Sequence, residues 1–235
     1  IYGREERRKR MIDLHTHSLL SDGELLPSEL ARRAEEKGYE IIGITDHVDF
    51  SNVKNIVPAL ISACEKINQY FKIKAIPGVE ITHVHPDSIS EMVKISKDLG
   101  AKLIVVHGET IVEPVLKGTN RKALECEIDI LAHPGILSEE EARLAAEKKI
   151  HIEISARKGH SLSNGHIAKL WYKYRFPLIL NTDTHTSDNL ITDEFAKKIL
   201  ISAGIKEEDI GEIFSTSKKL ATKKLKNVQV RPCHE

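Results

Sequence analysis

Seven times along this chain a short apolar run gives way to a stretch with helical spacing. The runs fall at residues 11–14, 40–44, 73–79, 102–106, 128–132, 150–155 and 177–180. Centres such as Ile41-Ile42-Gly43-Ile44 and Leu103-Ile104-Val105-Val106 are buried and β-rich rather than half-polar, which marks strands covered on both faces. Strand and helix in regular alternation specify a parallel sheet with crossover helices. The helical stretches carry their own punctuation. Pro27 stands near the start of 27–37 and Gly38 stops it. Ser88 with Glu91, and Ser138 with Glu141, have capping-box spacing. Residues 52–70 carry Ile56, Leu60, Cys64 and Ile67 on one face, with Pro58 near the first turns, which allows the helix to begin there. Further helices are expected at 120–126, 164–174, 192–204 and 207–226.

The residues that end each strand decide the shape of the sheet. The first run leads into His15-Thr16-His17, and residues two apart in an extended segment face one side, so both imidazoles can converge on one ion. Asp22 stands in the turn beyond. The second run leads to Thr45-Asp46-His47, the third to Glu80, the fourth to His107, the fifth to His133-Pro134 and the seventh to Asp183-Thr184-His185. Six of the twelve histidines therefore stand at strand carboxyl ends. An open doubly wound sheet gathers only the strand ends near its switch point. A closed ring brings all of them together, so a seven-stranded barrel is the expectation.

The donors His15, His17, Asp22, His47, Glu80, His107, His133, Asp183 and His185 are nitrogen and oxygen only. Such a set suits Zn, Mn or Fe and is too rich in histidine for Mg or Ca. It exceeds what one ion can use and suits two to three divalent transition-metal ions. Glu80, a carboxylate among imidazoles, is the natural bridge between two of them.

Composition excludes other classes. The formal net charge of the 235 residues is zero, which leaves no electrostatic footprint for nucleic acid or an acidic membrane surface. The three cysteines, Cys64, Cys126 and Cys233, are odd in number and widely spaced, which argues against a disulfide framework and for a reducing, cytoplasmic setting. No run approaches the ~18 apolar residues of a membrane span, and no secretory leader pattern opens the sequence. Residues 1–10 read as a charged, solvated arm, residues 11–226 as a single domain, and 227–235 as a tail. The oligomeric state is not legible.

Taken together, His15-Thr-His17, Ser21-Asp22-Gly23, Thr45-Asp46-His47, Gly78-Val-Glu80, His107, His133-Pro134 and Asp183-Thr-His185 resemble the motifs of the polymerase and histidinol phosphatase (PHP) family. They run from the first strand to residue 185 in that family's order. The resemblance implies an α/β fold, a distorted TIM-like (βα)7 barrel, and a trinuclear metal centre hydrolysing phosphoesters. It assigns His15, His17, Glu80 and Asp183 to a first ion, Glu80, His107 and His133 to a second, and Asp22, His47 and His185 to a third. Some relatives carry a histidine where Asp22 stands here. Two adjacent ions sharing a water would make a bridging hydroxide available near neutral pH, and Glu80, Asp183 and Arg157 would then count as catalytic.

Other residues carry expectations of their own. Arg157, past the sixth run, is a cation where its neighbours are ligands, suited to clamp a phosphate or to form a surface ion pair. His160 and His83 are candidate substrate contacts. His85, His166 and His234 read as solvated, His151 as structural, and Trp171, Tyr172 and Tyr174 as helix packing. Asp46 either orients a ligand histidine or shapes its loop. The leading function is a phosphatase acting on a small phosphorylated molecule. Competing readings are an exonuclease or phosphodiesterase, which the neutral charge disfavours, a non-catalytic barrel module, and an amidohydrolase. The last usually wants a lysine after strand four and a histidine after strand six, where this chain has His107 and Arg157.

Overall fold

The computed structural model describes residues 11–226; the charged arm and the tail, with Cys233 and His234, lie outside the described residues. The strands are β1 (Met11–Thr16), β2 (Tyr39–Ile44), the two-residue β3 (His47–Val48), β4 (Lys74–Ile81), β5 (Leu103–His107), β6 (Ile130–Ala132), β7 (His151–Ser155) and β8 (Leu178–Asn181). The helices are α1 (Pro27–Glu36), α2 (Val53–Tyr70), α3 (Ile89–Asp98), α4 (Thr119–Glu125), α5 (Glu139–Lys148), α6 (Asn164–Tyr174), α7 (Asp193–Ser202) and α8 (Glu207–Leu225). Every strand pairing is parallel, in the order β1-β2-β4-β5-β6-β7-β8, with β3 continuing the line of β2 beside β4. This is a nearly closed seven-stranded barrel.

Closure between β1 and β8 is made at one end only. A single parallel bridge joins Thr16 to Thr184, where Asp183 N donates to His15 O at 2.9 Å and His17 N to Thr184 O at 2.8 Å. Further down the seam, side chains replace the ladder. Asn181 Oδ1 accepts from Leu14 N at 2.9 Å, and Asp13 Oδ1 accepts from His15 N and Thr182 N. Asp13, which interrupts an otherwise apolar strand, thus supplies the acceptor that a distorted barrel lacks there.

Leu14, Ile41, Ile76, Leu103, Val105, Ile130, Ala132 and Ile179 fill the barrel interior, and Leu220 and Ala221 of α8 join the same cluster. A second, larger cluster packs the outer faces of the strands against the surrounding helices. Both faces of the sheet are therefore buried, as the unbroken apolar runs required.

Local details depart from the sequence reading. His15, Glu80 and His107 lie inside β1, β4 and β5 rather than beyond them, and His47 opens the unforeseen β3. Helix α2 starts at Val53 and carries Pro58 within it, in its second turn, where the ring removes one bond to the carbonyl four residues back. The Ser138–Glu141 capping box forms, but the Ser88–Glu91 one does not. A 3₁₀ turn, Pro86–Ser88, runs straight into α3, so Ser88 is already helical and its hydroxyl donates back to His85 O at 2.7 Å.

Candidate metal centre

At the carboxyl end of the barrel the imidazoles meet ring to ring. The His15 and His17 centroids are 5.0 Å apart, and His17 stacks at 4.2 Å on both His47 and His185. His133 lies 4.4 Å from His107. The β1–β2 register slips between Asp13 and Thr16, the span that holds His15, and such irregularities re-aim side chains beside functional sites.

Glu80 sits among these rings. Its Oε2 is 3.2 Å from His15 Nε2 and 3.4 Å from His17 Nε2, and its Oε1 is 3.4 Å from His133 Nε2. Asp183 Oδ1 lies 3.2 Å from His17 Nε2, and Asp22 Oδ1 lies 3.2 Å from His185 Nε2 and 3.6 Å from His47 Nε2. All nine donor residues expected from the sequence are brought to one place. Among the groups whose donor atoms lie within 4.8 Å of one another are His15, His17 and Asp183; Glu80, His107 and His133; and Asp22, His47 and His185 joined by His17; His15 with His133 and Glu153, and His83 with His107 and Glu113, meet the same condition.

The donor chemistry fits cations. Among the described residues, His15 Nε2, both ring nitrogens of His17 and of His133, and both oxygens of Glu80 are buried without a hydrogen-bond partner. Buried polar atoms are nearly always satisfied, so a local cluster of orphans needs something between them. Burial, with the His47 charge beside it, pushes His17 down to about 3, and burial with His107 nearby lowers His133. Both rings stay neutral, the form that ligates a metal. Burial works to raise Glu80 and Asp183, but His15 and its neighbours outweigh it and hold both carboxyls below their usual range.

The surroundings hold the donors in place. Glu153 on β7, fully buried, accepts from His15 Nδ1 at 2.8 Å and from Asn181 Nδ2 at 2.9 Å. That contact leaves His15 Nε2 as the free nitrogen. Sequence reading passed over Glu153, although a carboxylate in an apolar strand run was the available signal. Asp46 shapes the loop after β1 and does not orient a histidine: it accepts from Ser18 N, Ser18 Oγ and Ser21 Oγ, each at 2.7 Å.

Arg157 reaches the mouth. Its Nη1 lies 3.2 Å from Asp183 Oδ1 and against the His185 ring, with about a third of the side chain exposed. His160 is buried, stacks on His133 at 4.1 Å, and shares a 2.7 Å hydrogen bond between Nδ1 and Thr110 Oγ1, so it belongs to the wall of the donor cluster. His83 stands at the rim, partly exposed. Glu113, in the loop after β5, escaped the sequence reading altogether. It approaches His107 Nε2 at 3.0 Å and His160 Nε2 at 3.4 Å, and no local pattern announces a loop carboxylate that folds back on a distant strand end. His166 is half-buried and contacts Leu137 O at 2.7 Å, rather than standing free in solvent. His151 opens β7 at the far end, and Trp171 is buried in helix packing.

The PHP domain description matches residues 13–192, which include every donor named above. The chain belongs to the PHP family. An uncharacterized protein of Methanocaldococcus jannaschii is 46% identical over 84% of this chain and 92% of its own length. A protein of Thermoanaerobacter sp. named "Probable phosphatase" is 27% identical over 87% of this chain and 93% of its own. Among solved structures, a chain in archaeal ribonuclease P with mature tRNA superposes with a TM-score of 0.72 at 17% identity, covering 96% of this PHP barrel and 99% of that chain. At that identity the likeness concerns the fold. No helix among the described residues is long and apolar enough to cross a membrane.

Proposed function

We propose that this PHP protein is a metal-dependent phosphatase that hydrolyses a phosphate monoester of a small molecule at the carboxyl-end mouth, with two or three divalent transition-metal ions. One observation carries the reading: the orphaned imidazole and carboxylate atoms cluster at a single buried point. The ions, when bound, supply Lewis-acid stabilisation of phosphoryl charge and lower the pKa of an attacking water.

The chain's own residues do the rest. His15, His17, Glu80 and Asp183 would hold one ion, Glu80, His107 and His133 a second, and Asp22, His47 and His185 a third. Glu153 keeps the proton on His15 Nδ1 and so presents Nε2. Asp183 holds the Arg157 guanidinium at the mouth, where its remaining N–H groups can donate to a phosphate oxygen. Burial of the floor keeps bulk water away and strengthens each of these contacts.

The fold likeness to the ribonuclease P chain favours a second reading, a barrel that only binds. Against it stand the orphaned donors, which destabilise a barrel that has no use for them. The test is turnover of a phosphate-ester panel by purified protein alongside its measured metal content. Phosphomonoester hydrolysis that disappears with a chelator and returns with Zn, Mn or Fe is expected. Absence of hydrolysis from fully metallated protein across the panel would overturn the reading.

A further inference from the structure

Large apolar side chains are left in solvent at one end of the molecule: nine of the twelve exposed among the described residues lie in loops at the carboxyl end of the barrel. Five of them come from the loops after three consecutive strands. Ile111, Val112 and Leu116 follow β5, Ile136 follows β6 and Leu162 follows β7. Their exposures run from 46% to 71%. Exposed apolar groups that gather on one side of a site mark a binding surface more often than scattered ones do.

These loops are packed against one another. A Cβ on Gly135 would fall 1.9 Å from Glu109 O, so the loop after β6 presses backbone to backbone on the loop after β5. Asn120 of α4 ties both loops, its Nδ2 donating to Pro134 O at 2.8 Å and its Oδ1 accepting from Glu109 N at 2.9 Å. Between the loops after β5 and β7, Thr110 Oγ1 meets His160 Nδ1 at 2.7 Å, and a Cβ on Gly159 would stand 3.4 Å from Val112. The apolar side chains are therefore carried on a pre-organised wall, so a ligand meeting it has little loop entropy to lose. The same three loops begin at the donor cluster. Ile136 lies three residues after His133, Leu162 two after His160, and Glu113 of the same loop as Ile111 touches His107.

We propose that this wall receives the alcohol portion of the substrate, and that the substrate class is a phosphomonoester with an apolar body, alkyl or aryl, rather than a sugar phosphate or nucleotide. The inference rests on the phosphatase reading of the floor. A floor of cation-binding donors with Arg157 at its edge takes a phosphate, and a hydrocarbon wall beside it takes the rest of one amphiphilic molecule. A polyol body would have to strip its own water against Ile136 and Leu162 without hydrogen bonds in return.

Straight-chain alkylphosphonates from ethyl to octyl, titrated by calorimetry into Mn-loaded protein, test this without requiring turnover. Matching alkyl phosphates, whose leaving alcohols have nearly constant pKa, are assayed for hydrolysis in parallel. Full burial of a methylene is worth about fourfold in affinity. One-sided contact with the wall should give about twofold per methylene, hence roughly 60-fold from ethyl to octyl, with an increasingly negative heat-capacity change. The double variant Ile136→Ser, Leu162→Ser should reduce the octyl-to-ethyl ratio to a few-fold; both sites are exposed, so the fold tolerates them. An affinity independent of chain length, or a dependence that survives the double variant, would overturn the proposal and leave the wall as a docking face for something else. Affinity that climbs with chain length while no ester is cleaved would sustain the wall and overturn the phosphatase reading instead.

Discussion

The two ends of this barrel are built on opposite principles. At the amino end, Leu220 and Ala221 of α8 pack with the barrel interior, and the polar cluster around Asp129 is paired. Asp129 accepts from Ile104 N at 2.9 Å and from Lys224 Nζ at 2.6 Å, and its carbonyl meets His151 Nδ1 at 3.0 Å. At the carboxyl end, His15 Nε2 and the ring nitrogens and carboxylate oxygens of His17, His133 and Glu80 are buried just as deeply but are left without hydrogen-bond partners. The contrast shows where the molecule draws stability and where it gives it up, as barrel enzymes in general separate the two faces. A histidine at the start of a strand is a structural group here. One at the end of a strand is a candidate ligand.

The sharpest way to break that contrast is Glu80→Gln. The neutral amide cannot compensate adjacent dications, so phosphatase turnover should fall by about a thousandfold or more, and the apo protein should unfold at a lower temperature, because the imidazoles that hold Glu80 ionised lose their counter-charge. Near-normal turnover in the metallated variant would mean that the hydrolytic centre lies elsewhere.

Leu220→Ala probes the other end. Truncating a buried leucine should cost about 2–5 kcal/mol of stability by denaturant melt, with kcat per folded molecule preserved. A variant that keeps wild-type stability would show that α8 is not the plug of the barrel.

Arg157→Ala should lower kcat/KM by about 10- to 150-fold, the loss of one charge-assisted contact of roughly 1.5–3 kcal/mol, and Arg157→Lys should recover only part of it. Wild-type kinetics in the alanine variant would reduce Arg157 to the partner of Asp183 seen here.

Glu153→Gln has the subtlest expected effect: metal affinity weakened about 10- to 100-fold, with little change in kcat once the site is saturated. Nitrogen NMR of His15 should show the loss of a fixed tautomer; an unchanged tautomer and affinity would leave Glu153 a seam residue only.

The fold and the donor set were legible for one shared reason. Parallel strands buried on both faces need long apolar runs, so a histidine or carboxylate at the end of each run stands out against them. The residues that hold those donors in place were not legible. Glu153 meets His15 across 138 positions of sequence, and Glu113 reaches His107 from a loop whose path no local pattern dictates. Asp46 could be assigned to its loop rather than to a histidine only when Ser18 and Ser21 were seen around it.

The chain order of apolar runs and donors determined by itself that strands would alternate with helices and that the candidate donors would gather at one end of the sheet. That information is local, written in periodicity and in the residue that ends each strand. Closure of the ring at Thr16 and Thr184, the slip that re-aims His15, and the wall carried by the loops after β5, β6 and β7 were decided only in the folded molecule. Each depends on contacts between residues far apart in sequence, where packing and the satisfaction of buried polar groups choose among backbone paths that local propensity leaves equal.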